Sequence, residues 1–266
     1  MKKYHKGKHS KKSIFAIKIL AVIFIILFII SIVYITFNFI NSNKNKLLYK
    51  DIENISTKDD NISNKSITDN MQKMINLKHE NDEIIGWIQI ENTKIDYPVL
   101  QTKDNSYYLT HDYKKEKSKY GSIFAKSGCD LNNRYSNFII YGHNMNDEQM
   151  FNTLLNYENK DFYNEHKEIK LATEKEECRY AIVSVFKSRV FYQDEKDVFR
   201  YYNYTNFDNE DKYNTFVKEC KKIQLYDTGV LPQYGEQLIT LITCEYSQEN
   251  GRMVIVAKKE SSHNLT

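Results

Sequence analysis

An uncharged, apolar run of 22 residues, Ile19–Ile40, constrains this chain more than any other feature of its sequence. As an α-helix the run would be about 33 Å long, slightly more than the roughly 30 Å hydrocarbon core of a bilayer. A buried helix of a globular domain would be unusual at this length without a polar face. The run therefore predicts a helix that spans a membrane.

Two further observations favour an uncleaved anchor over a secretory signal peptide. A cleavable signal has an apolar stretch of only about 7 to 15 residues and ends in small residues, whereas this run ends in Thr36–Ile40, which is largely aromatic and β-branched. Seven lysines precede the run and three follow it closely, so the positive-inside rule puts the N-terminus in the cytoplasm. We expect residues 1–18 to form a basic cytoplasmic tail, residues 19–40 a transmembrane signal-anchor helix in the plasma membrane, and the rest to lie on the extracellular side.

The balance of charge separates this tail from the rest of the chain. The formal net charge is +3, but ten of the 38 basic residues fall within the first 50 residues, which contain no acid. The remaining 28 basic and 35 acidic residues give the rest of the chain a net charge of about −7. Because no basic footprint remains outside the tail, we expect the membrane to be a partner and nucleic acid not to be one.

Residues 41–65 separate the apolar run from the region where regular patterns resume. They are rich in Asn, Lys, Ser and Asp and show no apolar period, which predicts an extracellular spacer with little fixed structure. From Ser66, apolar residues three or four apart predict a helix that packs on the domain that follows. With 41% hydrophobic residues in the chain, we expect one packed domain over residues 66–260.

Beyond this helix the apolar period becomes that of short strands. Eight segments have the strand pattern: Ile84–Ile90, Ile95–Leu100, Gly121–Phe124, Phe138–Tyr141, Glu168–Ala172, Tyr180–Val190, Leu238–Thr243 and Arg252–Ala257. Two helical segments interrupt them, Glu148–Leu155 and Asn209–Ile223, each with apolar residues on one side. The sequence predicts a mainly β fold with a few helices, in which the strands form a barrel or a sandwich.

The four cysteines do not have the spacing of a metal site. Cys129, Cys178, Cys220 and Cys244 form no C-x-x-C pair and have no His at zinc-ligand spacing, so we expect no metal and no cofactor. If one of them is a working thiol, an odd number remains. We expect those three to be reduced and buried, with a single disulfide between two of them as the alternative.

Two strand ends and one turn carry residues suited to nucleophilic catalysis. The apolar strand Leu238–Cys244 ends in a thiol, and Arg252 begins the next strand eight residues on, so the two would lie at facing strand ends. His143 follows another strand, in a turn that contains Gly. A cysteine nucleophile needs an imidazole partner to supply thiolate, and it needs donors for the oxyanion that forms when it attacks a carbonyl. Arg252 is a permanent cation that could be such a donor.

A Cys, His or Arg at such a position, taken singly, more often has a structural role than a catalytic one. The local sequence around Cys244, His143 and Arg252 makes a catalytic role the better interpretation. Thr240–Cys244 with Arg252, preceded about 100 residues earlier by Tyr141-Gly-His143, closely resembles the catalytic segments of sortases. Four more segments resemble that family's N-terminal strands: Gly86–Ile90, Ile95–Val99, Asp104–Leu109 and Gly121–Phe124. The resemblance covers residues 70–259. The helices before Gly86 and the insertion at Asn209–Ile223 are similar to those of class B sortases.

The resemblance implies a fold, a reaction and a set of partners. The family's fold is a closed eight-stranded β-barrel, here with an N-terminal helix and a helical insertion before the last two strands. Cys244 would attack the carbonyl of the Thr in the C-terminal sorting signal of a secreted protein, and His143 would protonate the leaving amine. A cell-wall peptide amine would then attack the thioester, while Arg252 and the backbone N–H after Cys244 hold the oxyanion.

The resemblance also implies a groove for the sorting signal. It assigns four residues to that groove, Asn105, Leu109, Tyr141 and Glu245, which suit turn and core roles equally well. Ile242 stands where the family commonly has Ser, so the preference at that subsite stays open. Two alternatives remain. A papain-like cell-wall cysteine hydrolase would usually have its Cys before its His, at the start of a helix, and a non-catalytic, membrane-tethered binding module would simply bury Cys244.

Overall fold

The computed structural model describes residues 11–56 and 67–264, and the chain divides into two compact units, Met1–Leu47 and Leu48–Thr266. Helix α1 (Lys11–Ser56) begins in the first unit, where its apolar side chains from Phe15 to Ile40 are exposed. Among the described residues, one helical stretch is long and apolar enough to cross a membrane, Phe15–Ile52, with a mean hydropathy of 3.1 in its most apolar window. By length and composition this stretch is compatible with a membrane anchor.

The second unit contains a closed barrel of eight strands. The strands are β1 (Ile84–Gln89), β2 (Asp96–Leu100), β3 (Ile123–Ala125), β4 (Asn137–Tyr141), β5 (Glu168–Ala172), β6 (Glu176–Arg189), β7 (Leu238–Cys244) and β8 (Gly251–Asn264). Their order around the barrel is β1-β2-β3-β4-β7-β8-β6-β5, and β5 pairs back onto β1. Two neighbouring pairs are parallel, β2 with β3 and β4 with β7. The predicted closed eight-stranded barrel is confirmed.

In the described part of this unit, three further α-helices lie before and between the strands. Helix α2 (Asp69–Lys78) begins after Thr68, whose side chain accepts a hydrogen bond from the Met71 N–H. Its buried face joins a core cluster with Trp87 of β1, so it packs on the domain as predicted. Helix α3 (Lys160–Glu165) precedes β5, and α4 (Glu210–Ile223) lies between β6 and β7 as the predicted helical insertion.

The structure differs from the sequence prediction just after His143. The predicted helix Glu148–Leu155 is instead a turn followed by a 3₁₀ segment, Asn152–Glu158. Glu148 and Met150 have φ of 63° and 59°, a left-handed backbone that an α-helix cannot pass through. Met150, Phe151 and Leu154 of this segment are buried, so the apolar pattern reflects contact with the core and not a helical period.

The prediction that residues 41–65 have little fixed structure is wrong for residues 41–56. Helix α1 continues to Ser56, and the residues beyond it up to 65 lie outside the described part of the chain. Leu48 and Ile52, four residues apart on one face of α1, are buried in the same cluster as Trp87. Leu48 and Ile52 are one helical turn apart, and their neighbours in this stretch are mostly polar. The apolar pattern was therefore too sparse to predict that the helix continues here.

Candidate active site

The barrel topology brings His143, Cys244 and Arg252 to one end of the barrel. Because β4 and β7 are parallel, their carboxyl ends lie side by side, with Tyr141 opposite Ile242. His143 follows the end of β4 by two residues, and Cys244 is the last residue of β7. In the antiparallel pair β7–β8, Cys244 lies opposite Arg252.

A cavity of about 300 Å³ opens at this end of the barrel. Six of the seven residues assigned to the site from the sequence line it: His143, Cys244, Arg252, Asn105, Leu109 and Tyr141. Its remaining walls are largely aromatic and aliphatic, as is usual for sites that bind a ligand. The seventh residue, Glu245, is not among the lining residues.

The four thiols differ in their access to solvent. Cys244 is half-buried and lines the cavity, whereas Cys129, Cys178 and Cys220 are buried. Burial raises the pKa of Cys178 to about 11 and also raises the pKa of Cys129 and Cys220. These three thiols therefore stay protonated at neutral pH, which makes them poor nucleophiles. All four are free thiols, as predicted for the three buried ones.

The His143 imidazole is oriented by a backbone carbonyl. Its Nε2 atom lies 2.8 Å from the carbonyl oxygen of Leu109. A carbonyl can only accept a hydrogen bond, so Nε2 carries a proton in this contact. In the neutral ring the lone pair then belongs to Nδ1, which is free to take up or return a proton.

Short contacts tie the His143 turn to the Cys244 strand. The Gly142 N–H donates to the Ile242 carbonyl at 3.2 Å, and the Thr243 hydroxyl donates to the Gly142 carbonyl at 2.8 Å. A Cβ on Gly142 would lie 2.4 Å from the Ile123 Cδ1 atom and 2.7 Å from the Phe151 ring. The backbone can approach this closely only because residue 142 is glycine.

Arg252 has no carboxylate partner among the described residues. Its Nη1 group donates to the carbonyls of Asn250 at 3.1 Å and Gly251 at 2.8 Å. These two bonds leave the Nε and Nη2 hydrogens of the guanidinium without a partner in the described structure. Burial raises the pKa of Tyr141 to about 12, and the positive charge of Arg252 opposes that shift. The guanidinium charge therefore acts on a group that lines the cavity.

Both the backbone N–H and the carboxylate of Glu245 are engaged in hydrogen bonds at the β7–β8 loop. Its N–H, expected to hold an oxyanion, donates to the Gly251 carbonyl at 3.0 Å. Its carboxylate accepts from the Ser247 N–H at 2.9 Å and hydroxyl at 2.6 Å, and lies 3.5 Å from the Lys187 ammonium. Burial tends to raise the Glu245 pKa, but these partners outweigh it and the net pKa is lowered. The expectation that the Glu245 N–H is a free donor is wrong for this structure.

Sequence reasoning missed the wall that the β6–β7 connection contributes. Val190, Tyr201 and Tyr202 line the cavity, and Lys126, the residue after β3, donates to the Tyr202 carbonyl. Tyr201 is only 1% exposed, and its hydroxyl has no hydrogen-bond partner among the described residues. The tyrosine-rich stretch that contains these residues is visible in the sequence, but nothing local to it indicates that it folds across the strand ends.

The donor set is not that of a metal site. Within residues 11–56 and 67–264, no group of three or more His, Cys, Asp or Glu side chains could hold a metal ion.

Asn105, a predicted groove residue, accepts a hydrogen bond from the Ser127 N–H at 2.7 Å through its Oδ1 atom. This contact turns its amide and leaves the Nδ2 hydrogens for another acceptor.

Comparison with known proteins agrees with this arrangement. The Sortase domain family model matches residues 88–260. Sortase B of Listeria monocytogenes serovar 1/2a (strain ATCC BAA-679 / EGD-e) is 34% identical over 218 residues, 80% of this chain and 84% of the relative. The structure of a Staphylococcus aureus sortase B–substrate complex is 30% identical with a TM-score of 0.70, covering 82% of this chain and 98% of that one. A sortase B crystallised in complex with triglycine is 30% identical with a TM-score of 0.69, covering 82% and 99%.

These matches decide between the alternatives that the sequence left open. A papain-like enzyme would place its Cys at the start of a helix, whereas Cys244 ends a barrel strand. The family match covers most of the barrel and its relatives are enzymes of one kind, which excludes a module without catalysis. The chain therefore belongs to the sortase family of cysteine transpeptidases, in class B.

Proposed function

We propose that this chain cleaves a C-terminal sorting signal after Thr and transfers the protein to a cell-wall peptide amine, with Cys244, His143 and Arg252 as the catalytic residues. One observation carries the proposal: the cavity contains the one thiol of the described chain that is not buried, together with an imidazole and a guanidinium. These are the groups that acyl transfer through a thioester requires.

In the first step the Cys244 thiolate attacks the Thr carbonyl, and the C–N bond after Thr breaks. The departing amine takes a proton from the His143 imidazolium, leaving a thioester on Cys244. In the second step the incoming amine attacks the thioester and returns a proton to His143, which restores the thiolate. The Leu109 carbonyl at 2.8 Å keeps the ring oriented through both steps.

Arg252 holds the oxyanion of both tetrahedral intermediates. The Glu245 N–H is bonded to Gly251, so it does not serve as the second donor in this arrangement. Two of the five guanidinium N–H groups bond the loop carbonyls of Asn250 and Gly251. The remaining N–H groups face a partly enclosed site, where a charged donor stabilises an oxyanion far better than in water.

The cavity wall accounts for recognition of an extended signal. Asn105 offers its Nδ2 hydrogens to a substrate carbonyl, because its Oδ1 is already bonded to Ser127. Leu109 and Tyr141 add apolar surface, and Ile242 makes the wall apolar at the subsite where the family commonly has a hydroxyl. Glu245 contributes by shaping the loop next to Cys244 and not by direct contact with the signal.

Two further parts of the proposal concern partners and location. The matched structures include one described as a substrate complex and one as a complex with triglycine, which supports a peptide signal and an amine acceptor here. The apolar helix and the lysines before it support a single-pass protein with a cytoplasmic tail and with the barrel on the cell-wall side of the plasma membrane. Residues 1–18, 19–40, 41–65 and 66–260 would then be tail, anchor, spacer and catalytic domain.

The test uses the full chain in detergent, fluorogenic peptides with Leu-Pro-x-Thr-Gly-like or Asn-Pro-x-Thr-like signals, and triglycine. The expected result is cleavage after Thr, with triglycine joined to the Thr product, and loss of both in Cys244→Ala. Cys178→Ala is the matched control, because this thiol is buried in β6, away from the cavity, and its removal should leave activity intact. Cleavage that gives only the free acid at any triglycine concentration would contradict transfer. Activity retained in Cys244→Ala would contradict the assigned nucleophile.

A further inference from the structure

His143 is flanked by two residues that each bond the strand carrying Cys244. On one side, the Gly142 carbonyl accepts a hydrogen bond from the Thr243 hydroxyl at 2.8 Å. On the other side, the Asn144 Nδ2 group donates to the carbonyl of Cys244 itself at 3.0 Å, a contact between residues 100 positions apart. The imidazole therefore sits between two fixed points, and one of them belongs to the residue that carries the thiol.

Asn144 is itself held in place by a second amide. It is 8% exposed, and its Oδ1 atom accepts from the Asn152 Nδ2 group at 2.6 Å. The turn between these residues closes on itself, because the Phe151 N–H donates to the His143 carbonyl at 2.9 Å. The chain Asn152–Asn144–Cys244 is thus a continuous line of hydrogen bonds from the start of the 3₁₀ segment to the nucleophile.

We infer that Asn144 is a positioning residue for the transfer reaction. Its side-chain amide fixes the His143 turn relative to the Cys244 backbone, and this keeps the imidazole and the thiol in the relative position that the reaction needs. The inference rests on the proposed roles of His143 and Cys244. An asparagine amide suits the position because it donates to Cys244 and accepts from Asn152 at the same time. Aspartate of the same shape would have no N–H for the Cys244 carbonyl.

The effect on the reaction follows from geometry. Neither Asn144 nor Asn152 lines the cavity, so removing their bonds should leave signal binding nearly unchanged. Misplacement by about 1 Å can reduce a rate by roughly 100-fold. We expect Asn144→Ala to lower kcat by about 10- to 100-fold and to change KM by less than about threefold. Asn144→Asp should be no better than Asn144→Ala.

The test measures kcat, KM and the rate of Cys244 alkylation by iodoacetamide in the full chain in detergent. Asn152→Ala should lower kcat by less than Asn144→Ala and add nothing in the Asn144→Ala background, because it acts only through Asn144. Asn70→Ala is the matched control: this buried amide bonds Gln89 at 3.0 Å and Glu177 at 2.8 Å, among residues that do not line the cavity, and should leave kcat unchanged. Thermal melting of every variant accompanies the kinetics.

Three outcomes would overturn the inference. They are a kcat of Asn144→Ala within threefold of the parent, a kcat loss matched by Asn70→Ala at equal melting temperature, and additive losses from Asn144→Ala and Asn152→Ala. If Asn144→Ala does not fold, Asn152→Ala alone decides. Should the parent chain transfer no peptide, the proposed function fails. The alkylation rates then still test the inference, which requires a slower Cys244 in Asn144→Ala than in Asn70→Ala.

Discussion

Cys244 and Arg252 lie directly opposite each other across the antiparallel pair β7–β8, the last residue of one strand and the second of the next. This register brings the Arg252 side chain to the cavity that Cys244 lines, with no hydrogen bond between the two side chains in the described structure. The β7–β8 loop adds two carbonyl acceptors that hold Nη1 of the guanidinium. The strand register, and not a local motif, therefore places the cation in the cavity that contains the Cys244 thiol.

Replacing Arg252 by Lys should impair catalysis more than binding. An ammonium keeps the charge but cannot bond two loop carbonyls and an oxyanion in one plane. We expect kcat to fall by about 100-fold or more, the loss typical of removing an oxyanion donor, with KM changed by less than about threefold. Arg179→Lys, at an exposed ion pair with Glu168, is the control. A kcat for Arg252→Lys within tenfold of the parent would contradict the assigned role.

Tyr201 should contribute a hydrogen bond to the bound signal. Its hydroxyl is buried at the cavity wall with no partner in the described structure, and an unsatisfied buried hydroxyl costs stability unless a ligand supplies the partner. Tyr201→Phe should raise KM by about 3- to 10-fold while the melting temperature stays equal or rises. Tyr213→Phe, which removes a buried hydroxyl bonded to the Glu236 carbonyl at 3.3 Å, should change stability and not KM. An unchanged KM in Tyr201→Phe would rule out the contact.

Gly142→Ala should damage both stability and turnover. The new Cβ would lie 2.4 Å from Ile123 Cδ1, and relieving such overlap typically costs about 1–3 kcal/mol. The strain falls directly before His143, so kcat should fall as well. Ile123→Val removes the Cδ1 atom and should restore part of both losses in the double variant. Calorimetry and kinetics that show no restoration would mean that the damage arises elsewhere.

Glu245→Gln should reveal a stability that depends on pH. The Glu245 pKa is lower in the folded chain than its ordinary value, because Ser247 and Lys187 outweigh burial. A lowered folded pKa stabilises the fold above the unfolded pKa of about 4.3, and the gain is lost as the pH falls through the folded value. The parent should therefore melt higher than Glu245→Gln at pH 7, and the difference should shrink below about pH 4. A difference independent of pH would exclude this linkage.

The proposed membrane topology makes a prediction in intact cells. With the N-terminus in the cytoplasm, as proposed, Cys244 would face the outside, whereas the other three thiols are buried. A membrane-impermeant thiol reagent should label the chain in intact cells, and Cys244→Ala should abolish the labelling. Labelling of the parent only after cell lysis would show the opposite orientation.

The parts that the sequence predicted well share a physical cause. Each strand alternates or runs apolar by itself, so all eight could be recognised locally, and the resemblance supplied their closure into a barrel. β6 and β8 were predicted too short, at Tyr180–Val190 and Arg252–Ala257. Their outer residues are mostly polar, and those of β6 pair with those of β8, from Glu176 with Asn264 onward. Pairing between two polar strand ends leaves no apolar signal in either sequence.

The parts that were missed depend on contacts between distant segments. Tyr141, His143 and Cys244 reach one cavity because the parallel pairing of β4 and β7 puts the carboxyl ends of these strands side by side. The local sequence does not indicate the positions of Tyr201 and Asn144. Tyr201 reaches the cavity through the long β6–β7 connection, and Asn144 bonds a residue 100 positions away. The Glu245 N–H was expected to be free, but the loop geometry that commits it to Gly251 cannot be read from residue spacing.

The central claim is that Cys244 carries the acyl group between the two substrates, and mass spectrometry of the trapped intermediate tests it most directly. The full chain in detergent is mixed with a signal peptide and no amine, quenched in acid, digested and sequenced. The account predicts an adduct of the N-terminal product on the peptide that contains Cys244, which triglycine discharges as the ligated product. Turnover without any adduct, or an adduct on another residue that survives in Cys244→Ala, would contradict it.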